Sequence, residues 1–153
     1  MSVPGRLIAV LDVGKTNSKL ALVDPALGQE VWSTRRANAV VPGAATRELD
    51  VVAIEAWMLD SLRHAPQRER VAGVVTIAHG AAAVLVDHDG AVVAAPDYED
   101  TCFDEVADEY SKLRDSFALT YSPHLPQGLN LGRQLYYLQT RQPALLNRSK
   151  VNR

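Results

Sequence analysis

The segment from Asp12 to Asn17 has residue types and a spacing suited to phosphate binding, because Gly14, Lys15 and Thr16 follow an apolar run. A P-loop needs two glycines in the pattern G-x-x-x-x-G-K-[ST] and opens a helix. Here residue 9 is alanine, and the residues after the turn favour a strand. A β-hairpin turn fits better, since it can present amide, hydroxyl and ammonium groups to phosphate oxygens.

Each residue of this turn has a chemical role in that hypothesis. Gly14 permits a close approach and an unusual φ angle. Lys15 supplies positive charge, while Thr16 and Asn17 supply hydrogen-bond donors. Asp12, at the end of the preceding strand, can hold hydrated Mg²⁺. The alternative is an ordinary hairpin, in which Asp12 is satisfied locally and Lys15 lies in solvent.

The elements around the turn are predicted from periodicity and turn residues. Apolar runs at 7–11, 19–23 and 30–34 predict three antiparallel strands with tight connections. Residues 37–46 have no period and predict a loop. A helix follows it, with Thr46 as the predicted N-cap.

The middle of the chain predicts a second group of strands. Residues 71–78 are apolar and β-branched, which predicts a central strand that runs into His79-Gly80. Residues 82–86 and 91–95 flank an Asp-Gly pair and predict a hairpin. His79 would lie at the strand end that faces the cleft in such sheets. The alternative is a hydrogen-bonded core histidine.

Acidic residues crowd the stretch from 97 to 115, where apolar residues keep helical spacing. Thr101 and Asp104 resemble a capping box, so the pattern predicts an acidic amphipathic helix, in which Cys102 is a small packed side chain. A last helix is predicted from about residue 129. Its apolar side carries three leucines, namely Leu131, Leu135 and Leu138.

Composition excludes several classes of protein. The chain has 153 residues, 47% of them hydrophobic, and a formal net charge of −2. One cysteine excludes a disulfide framework and a cysteine-based zinc cluster. A count of 16 Lys+Arg against 18 Asp+Glu argues against a nucleic-acid surface. No apolar run approaches the roughly 20 residues of a membrane helix, so a cytoplasmic location is expected.

Residues 8–24 resemble the first phosphate segment of the FGGY-type carbohydrate kinases, members of the actin/Hsp70/sugar-kinase superfamily. The shared features are an apolar strand, an Asp-x-Gly-x-Thr-Asn turn, a lysine and a second strand that ends in Asp. Lys15 stands where many members have Thr or Ser, which favours a rhamnulokinase-like or related branch. Residues 74–90 and 125–139 are similar to later segments of the family, in the same order.

The resemblance implies a site with two parts. Phosphate and ATP would be bound by the turn, and Asp12 would hold Mg²⁺ through water. The sugar would be bound by residues near the later strands, because a neutral imidazole can donate and accept and a carboxylate can accept two hydroxyl hydrogens. The predicted phosphate-binding residues are Asp12, Gly14, Lys15, Thr16 and Asn17, and the predicted sugar-binding residues are His79, Gly80, Asp97, Tyr98 and Glu99. For the acidic group, the alternative is a set of charges around a helix cap.

The resemblance also implies an α/β, ribonuclease-H-like (actin-like ATPase) mixed sheet with flanking helices, as an incomplete domain. Residues 1–153 would be the N-terminal, sugar-binding-side domain of a kinase that transfers the γ-phosphoryl group of ATP to a sugar hydroxyl. No catalytic residue is expected in this chain, since the general base and the C-terminal ATP-binding domain would lie downstream.

Three further expectations follow. The chain alone would be inactive, and its partners would be a small sugar, a separately encoded C-terminal kinase domain or another copy of itself, with no nucleic acid or membrane. Apolar surface would be exposed near Leu135, Leu138 and Leu145. The alternative function is a non-catalytic sugar- or nucleotide-binding or assembly module with the same fold, and an actin- or chaperone-like ATPase half is a weaker third.

Overall fold

The computed structural model describes residues 5–149, and its largest sheet contains four strands. Their order is β3-β2-β1-β6, with β1, β2 and β3 antiparallel in succession and β6 parallel to β1. The strands are β1 (Leu7–Val13), β2 (Asn17–Asp24), β3 (Gln29–Ala37) and β6 (Val71–Ala78). The predicted meander and the mixed sheet are therefore confirmed.

The remaining elements are short strands and helices. The short strands form the pairs β4 (Val40–Pro42) with β5 (Arg47–Leu49), and β7 (Leu85–Val86) with β8 (Val92–Ala94). The helices are α1 (Val51–His64), α2 (Ala107–Leu113), α3 (Phe117–Thr120), α4 (Leu131–Arg141) and α5 (Pro143–Arg148). Two 3₁₀ segments lie at Arg68–Arg70 and Thr101–Val106. Within residues 5–149, no helix is long and apolar enough to cross a bilayer.

The described residues form two compact units. The first contains the residues up to Ala39 together with Asp50–His79, and the second contains Val40–Leu49 together with the residues from Gly80 onward. The chain thus leaves the first unit after β3 and returns to it at the start of α1.

Each unit has its own apolar core. In the first unit, Leu7 and Ala9 of β1 alternate inward and pack with Leu20 and Leu22 of β2, all without exposed surface. In the second unit the core includes the fully buried Phe103, whose ring meets that of Tyr137 edge-on at 5.3 Å between centroids. The other core residues there are Leu85, Ala94, Val106, Leu138 and Leu145.

The boundary between loop and helix in residues 37–50 differs from the prediction. Thr46 does not cap a helix, and part of the predicted loop forms β4. Backbone hydrogen bonds explain this, because the Leu49 amide donates to the Ala95 carbonyl and thereby holds β5 extended. Helix α1 begins at Val51, where Asp50 caps it by accepting from the Ala53 amide at 3.0 Å.

The predicted capping box at Thr101 and Asp104 is also wrong. The N-cap is Asp100, which accepts from the Cys102 amide at 3.0 Å. The first turn after it is a 3₁₀ helix in which Phe103 and Val106, three residues apart, are both fully buried. A spacing of three matches the 3₁₀ period, which eclipses residues i and i+3.

Helix α4 turns a different face inward than predicted. Leu131 and Leu135 are 42% and 43% exposed, whereas Arg133 and Gln134 are each 1% exposed. Both buried side chains donate to backbone carbonyls, Arg133 to Gln127 at 2.7 Å and Gln134 to Ala81 at 2.6 Å. These bonds satisfy part of the buried polar groups, whereas Nε of Arg133 and Oε1 of Gln134 have no hydrogen-bond partner among the described residues.

The predicted apolar exposure near the C-terminal leucines is wrong for two of the three. Leu138 and Leu145 are buried in the core of the second unit, since α5 packs against α4 and β8. Strand β6, predicted as central, is an edge strand among the described residues. Its exposed apolar side chains are Val74, Val75 and Ile77, at 52%, 49% and 52%.

Candidate functional site

The predicted phosphate turn is a tight connection between β1 and β2. The Gly14 amide donates to the Asn17 carbonyl at 2.9 Å and closes the turn. A Cβ atom at Gly14 would lie 2.9 Å from the same carbonyl oxygen. Gly14 therefore has no room for a side chain, while the close approach of a phosphate stays a prediction. The expected unusual φ is wrong, since the described glycines with positive φ are Gly28 and Gly90.

The exposed side chains of this turn are polar. Thr16 and Asn17 both face solvent, and the Asn17 amide nitrogen donates to the Thr16 hydroxyl oxygen at 3.1 Å. Lys15 is half-buried. The turn thus presents hydroxyl and amide groups of the kind that phosphate oxygens accept from.

Asp12 is exposed near the end of β1, and its register partner on β2 is Lys19. The Lys19 ammonium forms an ion pair with Glu30 on β3. The hydrogen bonds from Lys19 and Ser33 lower the pKa of Glu30. Lys19 therefore has a carboxylate partner other than Asp12, which leaves Asp12 suited to a ligand at the strand end.

No cluster of three or more His, Cys, Asp or Glu side chains that could hold a metal ion occurs among residues 5–149. An all-protein cation cage is therefore not built from this part of the chain. Mg²⁺ is usually bound by one or two carboxylates plus substrate phosphates and water. A single exposed carboxylate at Asp12 fits that kind of site.

His79 lies at the end of β6, beside the end of β1. Its backbone amide donates to the Val13 carbonyl at 3.1 Å, and the residue is half-buried. Because Val13 precedes Gly14, His79 and the phosphate turn lie at the same ends of the parallel strands β6 and β1. This agrees with the rule that ligands bind outside the carboxyl ends of parallel strands.

Gly80 opens the second unit and is exposed. A Cβ atom added to it would meet no atom within 4 Å. The strained residue is the next one, because Ala81 has a φ of 64°. The Ala81 carbonyl accepts from the buried Gln134 side chain, so α4 supports this loop from inside the unit.

Asp97 and Tyr98 are buried, whereas Glu99 is exposed. The Asp97 carboxylate accepts from the Glu99 amide at 3.1 Å and lies 3.6 Å from the Arg47 guanidinium. The Asp97 amide donates to the Arg47 carbonyl at 2.8 Å, and the Tyr98 carbonyl accepts from the Gly128 amide at 2.8 Å. These residues therefore build a hydrogen-bonded corner of the second unit.

Asp100 and Cys102 belong to the same corner, and their surroundings shift their pKa values in opposite directions. Burial would raise the pKa of Asp100, but hydrogen bonds from the Cys102 and Arg47 amides outweigh it and lower the pKa. For Cys102, burial followed by the nearby Asp100 charge raises the pKa of the thiol to about 12. Cys102 is thus a packed, protonated thiol, as its sequence context predicts.

The predicted site residues are divided between the two units. The phosphate turn and His79 belong to the first unit, whereas Gly80 and the Asp97–Glu99 corner belong to the second.

Sequence reasoning missed Asn38, which follows β3. Its side chain donates to the Gly14 carbonyl at 2.8 Å and accepts from the Ser18 hydroxyl at 2.9 Å, and its backbone amide donates to the Thr16 carbonyl at 2.9 Å. An asparagine just after a strand is a common loop residue, so no sequence signal links it to a turn 24 positions away.

Solved carbohydrate kinases share this fold. A carbohydrate kinase from Novosphingobium aromaticivorans aligns over 96% of this chain with 33% identity and a TM-score of 0.85. The predicted resemblance to carbohydrate kinases is confirmed. A xylulose kinase from Rhodospirillum rubrum aligns with 20% identity over 94% of this chain at a TM-score of 0.74. A Plasmodium falciparum glycerol kinase with ADP aligns with 14% identity over 95% at 0.68.

The carbohydrate kinases are much longer than this chain, which covers 31% of the Novosphingobium protein, 32% of the Rhodospirillum protein and 31% of the Plasmodium protein. No protein-family model and no curated protein matches the sequence. Together, the mixed sheet, its flanking helices and these neighbours confirm the predicted fold class, the actin-like ATPase type.

Proposed function

We propose that this chain is the N-terminal, sugar-binding-side part of an FGGY-type carbohydrate kinase. The observation that carries the proposal is the alignment with a carbohydrate kinase over 96% of the chain at 33% identity. The parent enzyme transfers the γ-phosphoryl group of ATP to a sugar hydroxyl. The rest of that enzyme supplies the general base and the C-terminal ATP-binding domain.

In this proposal the turn after β1 binds the phosphates. Thr16 and Asn17 donate hydrogen bonds, and Lys15 contributes positive charge. Gly14 lets the turn close, because its own amide bonds to the Asn17 carbonyl. When bound, Mg²⁺ neutralises charge on the phosphates, and Asp12 holds it through water.

The sugar is bound by the residues that follow β6 and β8. His79 orients a hydroxyl group through its imidazole, which can donate and accept. Glu99 is exposed and offers a carboxylate for a vicinal diol. The proposal extends the sugar contacts to Asp97 and Tyr98, which are both buried in this structure.

Phosphoryl transfer depends on positioning and on charge stabilisation from groups around the transferring phosphorus. In this proposal those groups are divided between this chain and the rest of the enzyme. The isolated 153-residue chain is therefore expected to have negligible turnover. A separately encoded second domain or self-association would complete the site in the cytoplasm. If such a domain restores binding of sugar and nucleotide but no turnover, the chain is a non-catalytic binding module.

The proposal is tested by titrating the ¹⁵N-labelled chain with MgATP and with pentoses, 6-deoxyhexoses and polyols. We expect MgATP to shift the backbone amide signals of Gly14–Asn17 and a sugar to shift those of His79 and Gly80. A Thr16→Val variant removes a donor and should weaken MgATP binding by about tenfold, the scale of one hydrogen bond to a charged group.

The matched control is Thr140→Val, an exposed threonine on α4 whose hydroxyl bonds within its own helix. It should leave MgATP binding unchanged. Absence of any turn response at millimolar MgATP would contradict phosphate binding by this chain. A coupled assay showing sugar-dependent ATP consumption by the isolated chain would show that its own residues complete the catalytic site.

A further inference from the structure

We propose that Asn38 is a positioning residue for the phosphate turn, which it holds in the orientation that phosphate binding requires. The inference rests on the proposed function of the turn. Asn38 is half-buried and lies directly after β3, one strand away from the β1–β2 connection. Its side chain has hydrogen bonds to both sides of this turn.

Three hydrogen bonds connect Asn38 to the turn. On one arm, the side-chain nitrogen of Asn38 donates to the Gly14 carbonyl at 2.8 Å. On the other arm, the backbone amide donates to the Thr16 carbonyl at 2.9 Å, and the side-chain oxygen accepts from the fully buried Ser18 hydroxyl at 2.9 Å. The side-chain amide thus uses both its donor and its acceptor in one turn.

The hydrogen bond from the Asn38 side chain to the Gly14 carbonyl fixes the orientation of a peptide unit. In a trans peptide unit the C=O and N–H bonds are coplanar and point in opposite directions. The Gly14 carbonyl and the Lys15 amide belong to one peptide unit. By drawing the Gly14 carbonyl toward itself, Asn38 turns the Lys15 N–H away from β3. Asn38 therefore sets the direction of a backbone donor at the tip of the turn.

Aspartate is the informative substitution at this position. Asn38→Asp keeps the oxygen that accepts from Ser18 and the backbone amide that donates to Thr16. At neutral pH it replaces the donor to Gly14 by a carboxylate oxygen, which repels the carbonyl. A protonated aspartate regains an O–H donor, so the lost interaction can be restored by acid.

The test compares hydrogen-exchange protection factors and MgATP titrations of the whole ¹⁵N-labelled chain. For Asn38→Asp at pH 7, we expect protection of the Gly14 amide to fall by about tenfold and MgATP affinity to fall by a similar factor. The amide signals in the middle of β1, β2 and β3 should keep their positions. Protection at Gly14 should return toward the wild-type value as the pH falls to about 4, near the ordinary aspartate pKa.

Two variants serve as controls. Asn38→Ala removes both side-chain bonds and should show the same losses at every pH, without recovery in acid. Asn147→Asp makes the same chemical change at an exposed residue on α5 and should alter neither readout.

The outcomes separate the two proposals. If the wild-type turn does not respond to MgATP, the proposed function fails, whereas the protection factors still report on Asn38. Wild-type protection and affinity in both Asn38 variants would overturn the inference. So would a loss of affinity accompanied by displaced signals throughout the sheet, because that would mark a purely structural role.

Discussion

At the scale of single residues, the two glycines of the predicted site differ in whether the surrounding structure requires them. Gly14 has no room for a side chain, because a Cβ atom would lie 2.9 Å from the Asn17 carbonyl oxygen. Gly80 has space around it and no positive φ. Steric demand therefore accounts for glycine at position 14 only.

This difference predicts that substitution by alanine destabilises the protein at position 14 but not at position 80. Gly14→Ala should lower the free energy of unfolding by about 1–3 kcal/mol, the range for a backbone clash, and should weaken MgATP binding. Gly80→Ala should change the stability by less than about 0.5 kcal/mol. Urea denaturation of both variants measures this, and equal destabilisation would contradict it. With stability intact, any loss of sugar binding in Gly80→Ala reports contact with the ligand.

At the scale of elements, the Asp100 carboxylate joins the 3₁₀ helix after β8 to β5. Asp100 accepts from the Cys102 amide, which starts the helix, and from the Arg47 amide of β5 at 2.6 Å. Since the second amide is 53 residues away in sequence, the same side chain caps a helix and anchors a strand.

The lowered pKa of Asp100 gives this corner a pH dependence. A carboxylate whose pKa is lower in the folded state stabilises the protein above its unfolded pKa, and that contribution is lost as the pH falls through the folded value. Asp100→Asn keeps one accepting oxygen but loses the charge and the second acceptor, so it should cost about 1 kcal/mol of unfolding free energy at pH 7. The difference from wild type should shrink below about pH 4.

Chemical denaturation of both proteins between pH 7 and pH 3 measures that difference. Asp108→Asn, an exposed residue in the first turn of α2, is the matched control and should cost less than about 0.5 kcal/mol. A constant gap between Asp100→Asn and wild type across this range would rule out the proposed ionisation.

At the scale of the whole molecule, β6 is an edge strand of the main sheet within residues 5–149. It pairs with β1 in parallel, and parallel strands are normally covered on both faces. Strands that end a sheet in nature usually carry Lys, Pro or a bulge that blocks further pairing. Residues 71–78 contain neither Lys nor Pro, the register irregularity of β6 is confined to its start between Val71 and Gly73, and Val75 is 49% exposed.

We therefore expect the isolated chain to self-associate with increasing concentration, as the sequence predicts, but through β6 and not through the C-terminal leucines. Val75→Lys should shift sedimentation velocity profiles toward the monomer, because lysine is a common blocker of strand edges. Val52→Lys, at a 61% exposed position on α1, should behave as wild type. A wild-type chain that stays monomeric at high concentration would contradict this expectation.

Local patterns were sufficient to predict the antiparallel part of the main sheet and the later hairpin, but not the edge position of β6. Apolar runs predict β1, β2 and β3, and Asp89-Gly90 predicts the hairpin, in which Gly90 has a φ of 83°. The functional role of the Asp12–Asn17 turn stays a prediction that depends on the family resemblance.

Features that depend on distant partners were not predictable. Asn38 contacts Gly14 across 24 positions, and β5 is only three residues long, so its strand character comes from the backbone of Ala95. Arg133 and Gln134 point inward because loop carbonyls accept from them. Residue type alone would place both side chains in solvent.

The path of residues 40–49 has a consequence for how this chain can be divided or recombined. They interrupt the first unit, yet their backbone bonds to Ala95 and Asp97 belong to the second. A gene cut at His79-Gly80 would therefore deprive residues 80–149 of the strand that completes them. A chimera that exchanges the second unit with that of a related kinase has to transfer two separate stretches, 40–49 and 80–149, to keep those bonds within one parent.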